Sequence, residues 1–391
     1  MRLVYTPEQE ALREELRAYF GGLLPPEVKA QIHFGESGGQ MYRKVIRQMG
    51  SDGWLGIGWP TEYGGQGRSP VDQFIFFDEA VRAGAPVPLV TLNTVGPTLM
   101  AFGTEEQKAR FLPAILRGEC HFAIGYTEPG AGTDLASLRT RAVRDGDEYV
   151  VNGNKVFTTG AHDADYIWLA CRTDPDAPKH KGISILLVDT SLPGYKVTPI
   201  ITLADGRTNA TYFDDVRVPV SMLVGGENNG WKMITTQLNH ERVALSPPGR
   251  IERRAQLVRR WAQETRLPDG RRVIDQEWVQ VAFARVHAKL EANRLMSLQV
   301  VSEMEHGQVN PADASSVKVY GSEVSIEIYG LLSQILGAQG YLQEGSPGAL
   351  VQGEIEKSCR QALVNTFGGG VNEVQREIIA MTGLGMPRAR R

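Results

Sequence analysis

Apolar residues recur at helical spacing at the start of the chain, where Leu12, Leu16 and Phe20 fall on one face behind Thr6, Pro7 and Gln9. Thr6 as N-cap, Pro7 in the first turn and Gln9 three residues on form a capping box, so a helix is predicted that Gly21 stops. Ser69-Pro70 and Thr104-Glu-Glu-Gln107 repeat this start chemistry, and Gly84 and Gly118 supply the stops. Residues 1–120 therefore read as a helical domain. From His121 to about Val224 the period shortens to that of strands. Asp165-Tyr-Ile-Trp-Leu-Ala-Cys-Arg172, Gly182-Ile-Ser-Ile-Leu-Leu-Val188 and Asn209-Ala-Thr-Tyr-Phe213 are rich in aromatic and β-branched residues. Glu148-Tyr-Val-Val and Asn154-Lys-Val-Phe157 flank Asn152-Gly153, which supplies the positive φ angles of a two-residue turn, so a hairpin is predicted there. Residues 121–228 read as a small β-domain. Beyond Asn229 the helical period returns near 230–245, 250–265, 275–306, 312–338 and 371–382, interrupted by Pro247-Pro248. Residues 229–391 are expected to pack as a bundle. The fold class is α+β, and without repeats or long linkers the three regions are expected to pack closely.

Composition narrows the function. The chain has 391 residues, 42% hydrophobic and 22% charged, as in an ordinary multidomain globular protein. Its 42 Lys+Arg against 45 Asp+Glu leave a net charge of -3, with no global footprint for nucleic acid or an anionic membrane. Cys120, Cys171 and Cys359 are too few and too scattered for a disulfide framework or a zinc site, and a reducing cytoplasm is expected. Cys120 and Cys171 are expected in the core. Seven histidines, His162 and His240 among them, show no ligand spacing, so no metal is expected. The start of the chain has no apolar run suited to a signal peptide or membrane helix.

Two stretches carry candidate chemistry. In Tyr126-Thr-Glu-Pro-Gly-Ala-Gly-Thr-Asp134, the glycines permit close backbone approach and the threonines can donate to phosphate or ring edges; alone, such a turn is as easily structural. Leu238-Asn-His-Glu-Arg-Val-Ala-Leu245 puts Asn239, Glu241 and Arg242 on a predicted helix, where a Glu-Arg pair is usually a solvated ion pair.

The first stretch resembles the signature of the acyl-CoA dehydrogenase family. Tyr149-Val-Val-Asn-Gly-Asn-Lys-Val-Phe-Thr-Thr-Gly160, Gly225-Gly-Glu-Asn-Asn-Gly-Trp231, Gln334-Ile-Leu-Gly-Ala-Gln-Gly-Tyr341 and Phe367-Gly-Gly-Gly-Val-Asn-Glu-Val-Gln-Arg376 resemble further family motifs in the family's order. The resemblance spans nearly the whole chain. It implies an N-terminal helical domain, a middle β-barrel and a C-terminal four-helix bundle, with FAD held non-covalently between the last two. It places Ile124, Tyr126, Thr127, Thr133 and Thr159 against the cofactor. Phe157, where the family usually has Trp, either covers a flavin face or is a core residue.

The family reaction removes an α-proton from a CoA thioester with a carboxylate while hydride leaves the β-carbon for the flavin. Most members carry that Glu seven residues before the arginine of the last motif, which here is Gly369. A minority carry it on the helix before an Arg, and Glu241-Arg242 matches that pattern. The resemblance thus makes Glu241 the base, gives Gly369 a backbone N–H for the thioester oxygen, and leaves Asn239 and Arg242 to orient substrate and base.

The family's Arg-x-x-Phe-Gly motif, lent to a neighbouring FAD, is missing from Glu264-Thr-Arg-Leu-Pro-Asp-Gly-Arg-Arg-Val-Ile-Asp275; Gln334-Ile-Leu-Gly-Ala338 keeps only part of a second, and Val371 replaces a Thr. These departures resemble the α2β2 actinobacterial enzymes acting on steroid side-chain CoA thioesters, in which a related chain completes the site. The competing expectation is a homotetramer in which Arg271 or Arg272 takes over. Arg250-Ile-Glu-Arg-Arg and Arg259-Arg260 are expected on a solvated helix face, with a CoA-phosphate contact as the alternative. The resulting expectation is an FAD-dependent acyl-CoA dehydrogenase that reduces an electron-transfer flavoprotein, with acyl-CoA oxidase and non-catalytic partner subunit as alternatives. Gly369 and Pro247-Pro248 favour a bulky or branched acyl group.

Overall fold

The computed structural model describes residues 4–32, 38–244, 248–307 and 310–387, with backbone alone for 238–244. The helices are α1 (Pro7–Leu23), α2 (Pro26–Lys29), α3 (Gln40–Ser51), α4 (Pro70–Ala83), α5 (Gly96–Phe102), α6 (Glu105–Leu116), α7 (Gly230–Ala244), α8 (Pro248–Glu264), α9 (Glu277–Glu305), α10 (Pro311–Leu336), α11 (Glu354–Ala362) and α12 (Asn372–Ile378). Between α6 and α7 run β1 (Phe122–Gly125), β2 (Arg141–Asp145), β3 (Glu148–Lys155), β4 (Tyr166–Arg172), β5 (Ile183–Asp189), β6 (Tyr195–Ile201), β7 (Arg207–Pro219) and β8 (Leu223–Val224). These elements gather into two compact units, one of residues 1–22, 69–85 and 242–391, the other of 23–68 and 86–241.

In the first unit, Val258 of α8, Val286 and Leu290 of α9, Ile328 and Leu332 of α10 and Ile355 of α11 share one core. α4 joins them because its acidic pair is buried against cations: Glu79 accepts from Arg13 and Arg17 of α1, both within 3.3 Å, and Asp78 accepts the Gly249 N–H at 2.6 Å. A Cβ at Gly249 would stand 2.5 Å from the Asp78 carbonyl oxygen, so only glycine fits. The capping box of Thr6 and Gln9 forms, but α1 runs through Gly21 to Leu23. Glycine is a weak stop without a left-handed cap, and the helix ends ahead of Pro25, which disfavours helical geometry in the residue before it.

In the second unit an eight-stranded sheet follows the path β6-β7-β3-β2-β4-β5-β8, with β1 parallel to β4. The hairpin expected at Asn152-Gly153 is absent: β3 continues through both, and the turn is Gly146-Asp147, joining β2 and β3 where Asp145 pairs with Glu148. Gly146, at φ +62, takes the positive angle that the turn requires. Gly153 instead occupies a bulge in the β3 pairing with β7, where its φ of +145 and a prospective Cβ 2.7 Å from Thr140 Cα exclude other residues. α11, β2 and β6 had no sequence expectation; β6 is an edge strand with mostly exposed positions, whose short alternation at Tyr195 and Val197 is cut off by Pro199.

Candidate active site

The second unit builds its site from the loops that follow β1 and β3. β1 closes at Gly125, where a Cβ would meet Ile167 Cγ2 of β4 at 2.9 Å, so the strand's end lies flush on its neighbour. The chain then reverses around Pro129-Gly130, with Glu128 and Ala131 exchanging backbone hydrogen bonds of 3.0 and 3.1 Å. The turn sends the Glu128 carboxylate inward, where it accepts from the backbone N–H groups of Arg139 (2.7 Å) and Thr140 (2.8 Å) and from Lys155 Nζ (2.8 Å). Lys155, on β3, also donates to the Tyr126 carbonyl at 3.0 Å, and the Val156 N–H donates to the Thr127 carbonyl at 2.9 Å. The two loops are stapled together by a buried ion pair, a lysine-to-carbonyl bond and a backbone bond.

Burial pushes the Glu128 carboxyl up, but the Lys155 charge and the Thr140 hydrogen bonds outweigh it and hold the group below the usual carboxylate range. Burial lowers Lys155, against the opposing pull of Glu128.

What the stapled loops present is an open, polar edge beside an exposed ring. Phe157 holds a left-handed backbone, φ +60, with 62% of its surface exposed, so it stands outside the sheet core. Such a conformation costs a non-glycine residue about 1–3 kcal/mol. It is held by its neighbour, since the Thr158 N–H donates to the Asn209 carbonyl (2.9 Å) and Asn209 Nδ2 donates back to the Thr158 carbonyl (3.1 Å). Thr159 is exposed, its Oγ1 3.0 Å from Thr208 Oγ1. Gly130, Gly132 and Thr133 are exposed; a Cβ at Gly130 would meet nothing within 4 Å, and one at Gly132 only the Thr127 methyl at 3.8 Å. A flat aromatic group bearing phosphates fits this edge: backbone can be approached closely, hydroxyl donors line it, and Phe157 offers a face.

Behind the loops lies a relay. Trp168 Nε1 of β4 donates to the Tyr126 hydroxyl at 3.0 Å, and that hydroxyl donates to Gln237 Oε1 of α7. Gln237 is buried on the side of α7 that carries Met233 and Ile234, and its Nε2 has no hydrogen-bond partner among the described residues. Glu128, Lys155, Trp168 and Gln237 were not anticipated. For Lys155 and Gln237 the available signal was a polar residue at a position where strand or helical periodicity calls for an apolar one.

The sequence candidates divide. Ile124, Tyr126 and Thr127 are half-buried on β1 and its loop, and Thr133, Phe157 and Thr159 are exposed on the two loops. Asn239, Glu241 and Arg242 lie on the helical backbone of α7, with side chains outside the described residues. Gly369 belongs to the other unit, where Gly369 (φ +67) and Gly370 (φ +96) form a left-handed turn before α12. That turn is anchored by the buried Lys318 of α10, whose Nζ donates to the Gly370 carbonyl (2.6 Å) and to Asn372 Oδ1 (2.8 Å). Cys120 and Cys171 are core thiols, both pushed up to about 12 by burial. Among the described residues no His/Cys/Asp/Glu group is arranged to hold a metal, and no helix is long and apolar enough to cross a membrane.

Family models for the acyl-CoA dehydrogenase N-terminal, middle and C-terminal domains match residues 6–119, 123–216 and 228–384. The chain is 55% identical over 400 residues to the acyl-CoA dehydrogenase FadE26 of Mycobacterium tuberculosis, covering 100% of both. Among solved structures it is similar to the Tcur3481-Tcur3483 steroid ACAD (TM-score 0.95, 55% identity, 100% of both chains). It is also similar to the ChsE4-ChsE5 complex from Mycobacterium tuberculosis (TM-score 0.93, 56% identity, 100% of both chains). With helical, sheet and helical segments in that order, the chain belongs to the acyl-CoA dehydrogenase family.

Proposed function

We propose that this chain is the base-bearing subunit of an FAD-dependent acyl-CoA dehydrogenase that forms an α,β double bond in a CoA thioester with a bulky, steroid-like acyl group. The observation that carries the cofactor assignment is the stapled loop pair with Phe157 exposed and open space at Gly130 and Gly132. When bound, the flavin supplies the hydride acceptor. Thr127, Thr133 and Thr159 would hold its edge and phosphates, Phe157 would offer it a ring face, and Ile124 and Tyr126 would complete the contact with the cofactor. Glu241 takes the α-proton onto its carboxylate. The Gly369 N–H donates to the thioester oxygen as charge develops there, which lowers the barrier to deprotonation. Asn239 and Arg242 hold the base and thioester in register.

The partner in this proposal is a related chain, in an α2β2 assembly. Two observations support it. The structures this chain is similar to are described as a two-component steroid ACAD and as a complex. The arginines that would substitute for the missing motif are already engaged: Arg271 pairs with Asp269 at 2.7 Å and Arg272 with Asp275 at 2.7 Å. The proposal further assigns domains 1–120, 121–228 and 229–391, a cytoplasmic location and an electron-transfer flavoprotein as acceptor. Co-expression with the related chain tests it. FAD bound stoichiometrically and bleached anaerobically by a steroid side-chain CoA thioester is the expected result; a fully FAD-loaded, active homotetramer contradicts it.

A further inference from the structure

The turn that carries Gly369 runs through three successive glycines, Gly368-Gly369-Gly370, the most permissive backbone a chain can have. An N–H that meets charge developing on a thioester oxygen is effective only when it is held in place beforehand. The turn therefore has to be fixed from outside its own sequence. Its entry is tied just past α11, where the Gly368 N–H donates to the Val364 carbonyl at 2.7 Å. Its flanks are held from α10. Lys318, only 1% exposed, donates from Nζ to the Gly370 carbonyl at 2.6 Å, to Asn372 Oδ1 at 2.8 Å and to the Thr366 carbonyl at 3.4 Å. The two carbonyls stand on either side of the Gly368–Gly369 peptide, so one ammonium clamps the turn at both shoulders. Among the described residues no group accepts the Gly369 N–H.

The clamp is itself braced. An ammonium can only donate, so Asn372 meets Lys318 with its oxygen and has its amide N–H groups left to give. Nδ2 donates to Ser322 Oγ at 3.0 Å and to Glu323 Oε1 at 3.1 Å, and Glu323 accepts in turn from Arg376 at 2.6 and 2.8 Å. Beside the turn, a Cβ at Gly370 would stand 2.5 Å from Gln375 Nε2, so that flank is filled as well. Burying a lysine is costly, and packing alone at this place on α10, between the buried Val317 and Val319, calls for an apolar side chain. What the lysine adds is its grip on the turn. We propose that Lys318 is a positioning residue for the dehydrogenation: by holding the Gly370 and Thr366 carbonyls it sets the direction in which the Gly369 N–H points. The inference rests on the reading of that N–H as the donor to the thioester oxygen.

The test uses the full-length chain assembled with its partner chain and loaded with FAD, with every rate expressed per bound FAD so that lost cofactor or lost folded protein does not enter. Lys318→Met keeps the volume and removes the donors. In that variant the limiting rate of anaerobic flavin bleaching by a steroid side-chain CoA thioester should fall ~10- to 100-fold, the range expected for a misdirected donor. The substrate concentration at half saturation should change by less than about threefold, because the bond is strengthened only as charge develops. Lys318→Gln keeps one amide donor for the Gly370 carbonyl; it should lose less, and it carries the same readouts should the methionine variant not fold. The second readout is the infrared carbonyl stretch of the bound enoyl-CoA product, labelled with carbon-13 at the thioester carbonyl. It should lie below its solution frequency in the parent and return toward it in Lys318→Met. An unshifted carbonyl in the parent would remove the Gly369 reading, and this role with it. A shifted carbonyl in the parent, with shift and rate both kept in Lys318→Met, would overturn the role of Lys318 alone. A lower melting temperature with a parental rate per bound FAD would make the lysine purely structural and would also overturn it.

Discussion

Lys155 Nζ lies 2.8 Å from Glu128 Oε1 with the lysine side chain wholly buried and the carboxylate 8% exposed, and this pair fastens the loop after β1 to the loop after β3. Removing one member leaves the other charged and buried. Glu128→Gln should therefore destabilise the protein by about 3–5 kcal/mol, whereas the Glu128→Gln/Lys155→Met pair should cost less than the sum of the single changes. Denaturant melts of the four proteins check both statements, and simple additivity would contradict the ion-pair reading.

The same pair sets a pH limit. Glu128 is held below its ordinary range in the fold, so its contribution to stability is fully present above the unfolded value of ~4.3 and is lost as pH falls through the lower folded value. Melting temperature followed from pH 6 to pH 3 should fall more steeply in the parent than in Glu128→Gln. Parallel curves would contradict the assignment.

Gly130 and Gly125 separate cofactor space from packing space. A methyl at Gly130 meets nothing within 4 Å, so Gly130→Ala should change stability by less than about 0.5 kcal/mol while lowering FAD retention through gel filtration. Gly125→Ala drives a methyl to 2.9 Å from Ile167 and should lower the melting temperature itself. Full FAD retention in a well-folded Gly130→Ala protein would remove the flavin from this edge.

Local signals were legible where one residue decides a conformation. Ser69, Thr104 and Gly84 cap helices as their chemistry dictates. Asn152-Gly153 misled because its chemistry suits two features, a turn and a bulge, and only the pairing of β3 with β7 decides between them. Gly146-Asp147, whose glycine supplies the positive φ at the first turn position, was the real hairpin. In the candidate site, the ordered motifs pointed to Phe157 and the threonines, and Phe157 proves exposed where a core position was the alternative. Lys155 and Gln237 were missed, because a buried polar side chain is accounted for by partners far away in sequence, Glu128 and Tyr126. Arg254 was misread for a similar reason: a run of arginines looks solvated, yet Arg254 is buried with its guanidinium 5.6 Å from the Tyr329 ring centroid of α10.

The two-chain proposal makes a specific claim about arginine. Arg271→Ala/Arg272→Ala should leave FAD content unchanged to within about 10%, because both side chains already serve Asp269 and Asp275. Omitting the partner chain should strip most of the cofactor, read as the 450 nm to 280 nm absorbance ratio, at about that wavelength for a flavin. Loss of FAD in the double variant with the partner present would return the site to a homo-oligomer.

The central claim is that Glu241 on α7 removes the α-proton in place of a carboxylate at Gly369. Anaerobic stopped-flow mixing of the FAD-loaded assembly with a steroid side-chain CoA thioester measures that step directly. The account predicts that Glu241→Gln slows flavin bleaching by ~100- to 10,000-fold with FAD still bound. Bleaching at the parent rate would contradict it.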